Sequence, residues 1–563
     1  MEKYLAKTWF CCALIGLFTL LVWGTTVGFG FVWDDSLLVV QNTSLRSLKN
    51  IPEIFTSVKA QSAEVAPSYR PTRTAFYALL YAIGGQPEPQ AWIFHLANVL
   101  WHGLAAMLLF AVALLLCQRL AGAAPPAAVR MTALFIALGF AAHPVVSEAV
   151  CWVKCLDDLM AAVFVLAAMR SLLKWNEGMR GYAAALVFYL FAAFSKESAL
   201  PLAMLVFFVF AGYHKLPWRR SAVLTVPFLL VAGFYVVVRH LVLGQSAQCA
   251  PLSGSYGQTL LDMFPVLPKY LRLLWGIPPF IIDYNFMVGA PPHSFLSGAV
   301  LGGVLLVLFF VALAAWLWRR ETWRLAAFGI LWAGLFLLPV SNLVPMMQYM
   351  AERFLYLPLM GFLLALGALC LHLRRRGLAG AGAGLLILVW AASSRERLDI
   401  WHDEVKLFAE TSLANPESWR ARENAVVAIF NLPQILPFFT LDPGTRQVFA
   451  APPPRTADAA AMLRTLTQAR GLFPDEHRFT AALGLTYALR GQMSNAIPLL
   501  ELATRQKTND AECWIDLGTA YRLESNWPQA RAALETALRL NPTNRLSLLH
   551  LRELQEKLDQ PRR

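Results

Sequence analysis

Residues 296–318 read LSGAVLGGVLLVLFFVALAAWLW and stop at Arg319-Arg320. This uncharged run exceeds the roughly 20 residues that a helix needs to cross the hydrocarbon of a bilayer. Its backbone groups would find no water there, which makes helix the economical conformation. Similar uncharged stretches run from Thr8 to Trp33 and, with two histidines, from Gln90 to Gln118. Across 563 residues 57% are hydrophobic and only 15% charged, whereas soluble domains run near 25% charged. The pattern predicts an all-α protein built on a polytopic transmembrane helix bundle.

The net charge of +13 invites a nucleic-acid reading, but its distribution removes that reading. Segments predicted to face the cytoplasm hold sixteen basic residues, among them Lys3, Arg119, Arg319, Arg320, Arg374 and Arg375, against three acids, Glu2, Glu177 and Glu321. They account for the whole excess, which is the positive-inside pattern of a membrane protein. Arg outnumbers Lys, and Ala, Leu and Pro are abundant, a usage that suggests a GC-rich bacterial genome and hence an inner membrane. The N-terminal run is read as an uncleaved span rather than a signal peptide, being longer than a signal core.

Alternating spans with basic loops gives about 11 spans, the first near 9–31 and the last near 378–393. The expected division is a membrane domain at 1–395, a degenerate helical repeat with a Pro-rich linker (Pro433, Pro437, Pro443, Pro452, Pro453, Pro454) at 396–455, and a repeat domain at 456–563. Trp401 to Phe430 reads as two amphipathic helices joined at Asn415-Pro416. Beyond the linker, Trp514, Leu517, Gly518, Tyr521, Ala530, Leu534, Ala537 and Pro542 fall at the spacing of a 34-residue tetratricopeptide repeat. The same offsets from His477 give Thr480, Leu483, Gly484, Tyr487, Ala496, Leu500, Ala503 and Thr508. Small residues at such places let the paired helices approach, and stacked repeats share a continuous core. The block suits docking of a partner, or serves only as a cap.

This topology gathers the unusual charges at the outer face. Asp34-Asp35 follows the first span, and Arg70 lies in the first outer loop. Glu148 ends the third span, with Asp157-Asp158 opening the fourth. Lys196-Glu197 turns between the fifth and sixth. Arg239 closes the seventh, Asp283-Tyr284 lies in the outer segment before the eighth, and Glu352-Arg353 opens the tenth. Ionisable groups at membrane depth are costly and usually face a polar cavity or each other, so their convergence marks a candidate site. One acid would suffice to anchor a helix end, so the Asp34-Asp35 pair favours function. Lys196-Glu197 and Glu352-Arg353 read equally as self-neutralising pairs or as phosphate-binding cations with acidic neighbours. His95, Asn98 and His102 on one helical face read as interhelical hydrogen-bonding groups rather than metal ligands. Cys151 and Cys155 at i, i+4 are poorly placed for a disulfide. No paired CxxC and no phosphate-cradling GxxxxGK[ST] loop occurs, so nucleotide hydrolysis is not supported.

Several stretches, in order, carry a family resemblance: Phe31-Val-Trp-Asp-Asp35, Ser68-Tyr-Arg-Pro71, His95-Leu-Ala-Asn98 with His102, and His143-Pro-Val-Val-Ser-Glu-Ala-Val150. Ser195-Lys-Glu197, Lys269-Tyr-Leu-Arg-Leu-Leu274 and Pro339-Val-Ser-Asn-Leu343 follow, running into Ala351-Glu-Arg-Phe-Leu-Tyr-Leu-Pro358. The set resembles the transmembrane and tetratricopeptide-repeat O-mannosyltransferase family and its bacterial relatives, within the GT-C glycosyltransferase superfamily. The chain departs at Cys155-Leu-Asp-Asp158, where that family shows a Gly-Arg-x-Asp element, and Lys154 is the candidate substitute for the arginine. The resemblance implies a polyprenyl-phosphate-linked monosaccharide as donor, inversion at the anomeric carbon and an extracytoplasmic acceptor, protein or glycan. Asp34 or Asp35 would then be the catalytic base. Arg70, Lys196, Arg239 and Arg353 would hold the donor phosphate, with Glu148, Asp158, Glu197, Asp283, Tyr284 and Glu352 orienting them or binding sugar. Some members of that superfamily use a divalent metal and others none, and the sequence leaves the choice open. A non-enzymatic scaffold docking envelope partners and an oligosaccharide ligase are the alternatives; the short loop before the tenth span speaks against the ligase.

Overall fold

The structure is a computed structural model and describes residues 7–63, 68–84, 87–122, 124–244, 249–284, 293–373, 376–416, 418–432, 435, 439–441, 448–450 and 459–558. Glu2, Lys3, Arg374, Arg375 and the six linker prolines named above lie outside them. The described residues are helical almost throughout, with one antiparallel two-stranded ladder, Phe439–Leu441 against Val448–Ala450. The chain divides into two compact units, Met1–Trp419 and Arg420–Arg563.

In the first unit seven described helices are long and apolar enough to cross a membrane, or eight if the bent pair Pro126–Ala142 and Pro144–Cys151 is one span. This is a multi-pass membrane protein, and among the described residues fewer helices reach full span length than the eleven predicted. The difference lies in three segments. Leu156–Leu173 carries Asp157, Asp158 and Arg170, Met179–Ser195 has 17 residues, and the stretch from Glu197 is assembled from Glu197–Ala199, Leu202–Phe208 and Val209–Tyr213. Each is apolar, but too short or too charged to match a hydrocarbon thickness by itself.

Ala91–Leu120 is the centre of the bundle, packing against Thr8–Trp23, Pro126–Ala142 and Leu156–Leu173. Its polar residues bond across helices: His95 Nε2 lies 3.0 Å from the Gly30 carbonyl, Asn98 donates to the Val150 and Trp152 carbonyls, and His102 Nδ1 lies 2.7 Å from the Tyr356 hydroxyl. These contacts match the expectation of interhelical bonding. Arg324–Leu337 and Tyr356–His372 approach until Gly329 and Gly361 meet backbone to backbone. A Cβ at Gly361 would strike the Gly329 carbonyl, so small residues set this crossing. Trp218–Leu243 and Gly298–Trp318 lie at the periphery, each with only 22% of its apolar window buried.

In the second unit, His477–Leu489 pairs with Met493–Gln506, and Ala511–Leu523 with Trp527–Leu540. Ala496, Leu500, Ala530 and Leu534 are fully buried at the 34-residue offsets read from the sequence. Arg545–Leu558 packs on the second pair as a closing helix. A solenoid of this kind is held by its nearest-neighbour interfaces.

Candidate active site

Several charged residues of the membrane unit stand beside breaks where an extended residue leads into a short 3-10 turn. His143 (φ −70°, ψ 129°), Trp152 (φ −93°, ψ 120°), Lys196 (φ −160°, ψ 140°) and Ala351 (φ −152°, ψ 152°) precede the turns Pro144–Val146, Val153–Cys155, Glu197–Ala199 and Glu352–Leu355. At the first break Pro144 offers no N–H, and the His143 ring accepts from Val145 N at 3.2 Å. Such breaks turn polar side chains off the helix axis and towards one another.

The breaks meet in one network. Arg70 bonds Asp157, and Glu197 at 3.0 Å. Arg73, one helical turn on, reaches Asp157 at 3.4 Å. Lys196 bonds Asp158, and Asp157 at 3.2 Å. Arg353 bonds Glu148 through both its guanidinium and its backbone N–H, the latter at 2.8 Å, and also bonds Gln348. Arg397 Nη2 meets Glu352 Oε2 at 2.7 Å and its Nε meets Ser147 at 2.6 Å. Neither Lys196-Glu197 nor Glu352-Arg353 is a self-neutralising pair; each member bonds a residue from another segment. Lone charges would carry a severe desolvation cost at this depth, and close opposite charges offset it.

The loop from Val32 to Asp35 borders this network. The buried Asp35 carboxylate accepts from Val32 N at 3.2 Å and from Lys154 N at 2.9 Å, fastening the loop to the 153–155 turn. Burial pushes the Asp35 carboxyl up to about 8, opposed by those two amides and by the Lys154 charge. Asp34 bonds the Lys154 ammonium, and both side chains keep partial exposure, 32% and 23%. Trp33 sits at φ +53°, a left-handed conformation costly for a bulky residue. Its indole stacks on Trp152 with ring centres 4.7 Å apart, and its backbone N–H donates to Glu404 at 3.0 Å. The Lys154 ammonium lies 4.5 Å and the Arg353 guanidinium 5.5 Å from the centre of the Trp152 ring. Asp34, Lys154, Trp152, Arg353 and Glu148 are therefore contiguous. Asp158 lies within electrostatic range of Arg353 and connects this row to the Lys196 and Arg70 pairs.

Three predicted site residues take other positions. Tyr284 donates to Glu352 at 3.0 Å and belongs to the Arg397 branch. Asp283 turns to the helices after the last span: its carboxylate accepts from Ser418 at 2.6 Å and its carbonyl from Asn415 at 3.2 Å. Arg239 is half-buried beside Tyr235, whose hydroxyl donates to the Tyr69 carbonyl at 3.2 Å. Several participants were missing from the predicted set, among them Arg397, Arg73, Trp33 and Trp152. Arg397 lies two residues past the expected domain limit at 395. Arg73 follows Arg70 by one turn of helix, a spacing that could have revealed it. Trp33 and Trp152 carry no charge, so a search for charges beside apolar runs passes over them.

Among the described residues, three potential metal ligands come within 4.8 Å of one another at His477, Asp510 and Cys513, in the second unit.

With this arrangement in place, similarity to known proteins is informative. The chain is 28% identical over 306 residues to the Protein O-mannosyl-transferase Tmtc2 of Drosophila melanogaster, covering 50% of this chain and 31% of that protein. Over that stretch the chain is similar to a protein O-mannosyl-transferase. It is 30% identical over 160 residues to Protein O-mannosyl-transferase TMTC4 of Mus musculus, covering 27% of this chain and 21% of the relative. The matches thus span under a third of either relative's length. Residues 511–544 match the tetratricopeptide repeat family, in agreement with the second helical pair of the solenoid.

Proposed function

We propose that this protein is a membrane glycosyltransferase that moves a monosaccharide from a polyprenyl-phosphate carrier to an acceptor hydroxyl on protein, with inversion at the anomeric carbon. The observation that carries this reading is the Asp34–Lys154 pair, partly exposed at the edge of a network whose other charges, Glu197 apart, are largely buried. A hydroxyl is a poor nucleophile, and a carboxylate that accepts its proton as the new C–O bond forms lowers the barrier. Asp34 is the most exposed carboxylate of the network. Asp35, held by two amides, fixes the loop that carries it. As the bond from the anomeric carbon to phosphate breaks, negative charge grows on the lipid phosphate, and preorganised cations stabilise it. Lys154, Arg353, Lys196 and Arg70 are the candidates, with Arg239 at the Tyr235 side. An arriving phosphate competes with Asp34 for Lys154 and frees the base. Glu148, Asp158, Glu197 and Glu352 hold the cations in place, Tyr284 supports Glu352, and Asp283 tethers the outer segment. The relatives' names make mannose the first sugar to test.

The proposed setting is a bacterial inner membrane, with the site and the repeats extracytoplasmic. A reporter fused after Arg395 tests that orientation.

Asp34→Asn in membranes supplied with polyprenyl-phosphate mannose should lower transfer by about 100-fold or more, read as glycopeptides by mass spectrometry, while the protein inserts and melts as the parent does. Transfer at the parental rate in a folded Asp34→Asn protein would remove the base. The thorough pairing of the buried cations also fits a scaffold without activity. On that reading, deleting 456–563 abolishes the cellular phenotype while Asp34→Asn leaves it intact.

A further inference from the structure

We infer that the repeat unit holds a transition-metal ion, of the zinc class, between His477, Asp510 and Cys513. Their ligand atoms all lie within 4.8 Å of one another, and all three line one small pocket together with Glu512 and Asp516. His477 opens one helix, whereas Asp510 and Cys513 bracket the first turn of Ala511–Leu523 in the following repeat. The site is therefore made by stacking two repeats and belongs to neither alone.

The donor chemistry is selective. A thiolate, an imidazole and a carboxylate together suit zinc and its neighbours, whereas calcium and magnesium prefer oxygen ligands. A tetrahedral zinc with ligands at about 2.0–2.3 Å places those ligands about 3.3–3.8 Å apart. His477 Nε2 and Asp510 Oδ2 already stand 3.2 Å apart, so the thiol has about an ångström to travel. His477 is also oriented as metal-bound histidines are: its Nδ1 faces the Glu476 carboxylate at 3.3 Å, leaving Nε2 turned to the pocket. Asp510 is held by the amide of Glu512 at 3.0 Å. Arg478, which lines the same pocket, is neutralised by Glu476 at 2.7 Å and by both oxygens of Glu423 at 3.0 and 2.9 Å, so it does not oppose an incoming ion; the Lys507 charge also acts on Asp510. On binding, the S–H proton of Cys513 and the Nε2 proton that His477 donates to Asp510 pass to solvent as the metal–sulfur and metal–nitrogen bonds form, and the fourth position stays open to water or to a donor group of a docked segment.

Cys513 is the sole cysteine of residues 420–563, which makes the test specific. The full-length protein in detergent, stripped with chelator, is titrated with cobalt(II) and then zinc(II). We expect one equivalent to bind with a thiolate-to-cobalt charge-transfer band, displaced by zinc. Cys513→Ser should abolish the band, and His477→Gln and Asp510→Asn should weaken zinc retention at least tenfold. Each variant's melting profile is compared with the stripped parent to show that the repeats are folded. If a variant fails to fold, the parent protein still decides. Absence of a charge-transfer band in the parent, or unchanged zinc retention in a folded Cys513→Ser variant, overturns the inference.

Discussion

Asp35 shows how one buried side chain can make stability depend on pH. Burial raises its carboxyl to about 8 in the folded chain, against about 3.9 in an unfolded one. Between those values the folded state keeps a proton that the unfolded state has released. The stabilisation from protonation is complete below about pH 4 and is lost as pH rises through about 8, at up to about 1.4 kcal/mol per unit. The melting temperature of the solubilised protein should therefore fall between about pH 5 and pH 9. Asp35→Asn should flatten that slope, and an equal slope in the variant would show that another group is responsible. At this scale the sequence was informative about charges that sit beside span ends, because a charge next to an apolar run demands a reason. Asp34, Asp35, Glu148, Asp158, Lys196, Glu352 and Arg353 were all visible in that way. Their pairing was not, since adjacent opposite charges look like partners in a sequence while the extended residues at the breaks send them to different segments. Arg397 escaped because it lies inside a helix that continues past the apolar run, to Trp401.

Helices in this chain differ most from expectation where hydropathy is interrupted. Apolar windows announce a span, but the turns at His143, Trp152, Lys196 and Ala351 come from local backbone states that hydropathy does not encode. The repeats are the opposite case: their period specifies each helix pair, and even the turns correspond. Gly491 (φ +73°) and Ser525 (φ +63°) occupy equivalent left-handed positions after the first helix of successive repeats. Glycine takes this conformation without penalty, whereas a residue with a Cβ pays about 1 kcal/mol or more. Ser525→Gly should accordingly stabilise the repeat unit by about 1 kcal/mol, seen as a higher denaturant midpoint of its unfolding transition. A lower midpoint would mean that the serine side chain contributes more than its backbone strain costs.

The molecule consists of two units of different solvent preference, one apolar and one a water-facing solenoid, and the division at Trp419/Arg420 predicts separable stability. Removing residues 420–563 should leave the melting temperature of the membrane unit in detergent within about 2 °C of the full chain's corresponding transition, a shift of the size expected for less than about 1 kcal/mol. A larger drop would mean that the units support each other. Composition and period made both units legible, but the convergence of the charged network needed the three-dimensional arrangement, because its ties span long stretches of chain. Glu148 bonds Arg353, 205 positions later. At a synthesis rate of about 5–20 residues per second, the ribosome needs about 10–40 s to deliver that partner. For that interval the nascent chain carries an unmatched carboxylate at the end of an inserted helix. A chain arrested before Arg353 never acquires the cation that pairs with Glu148 in the folded protein.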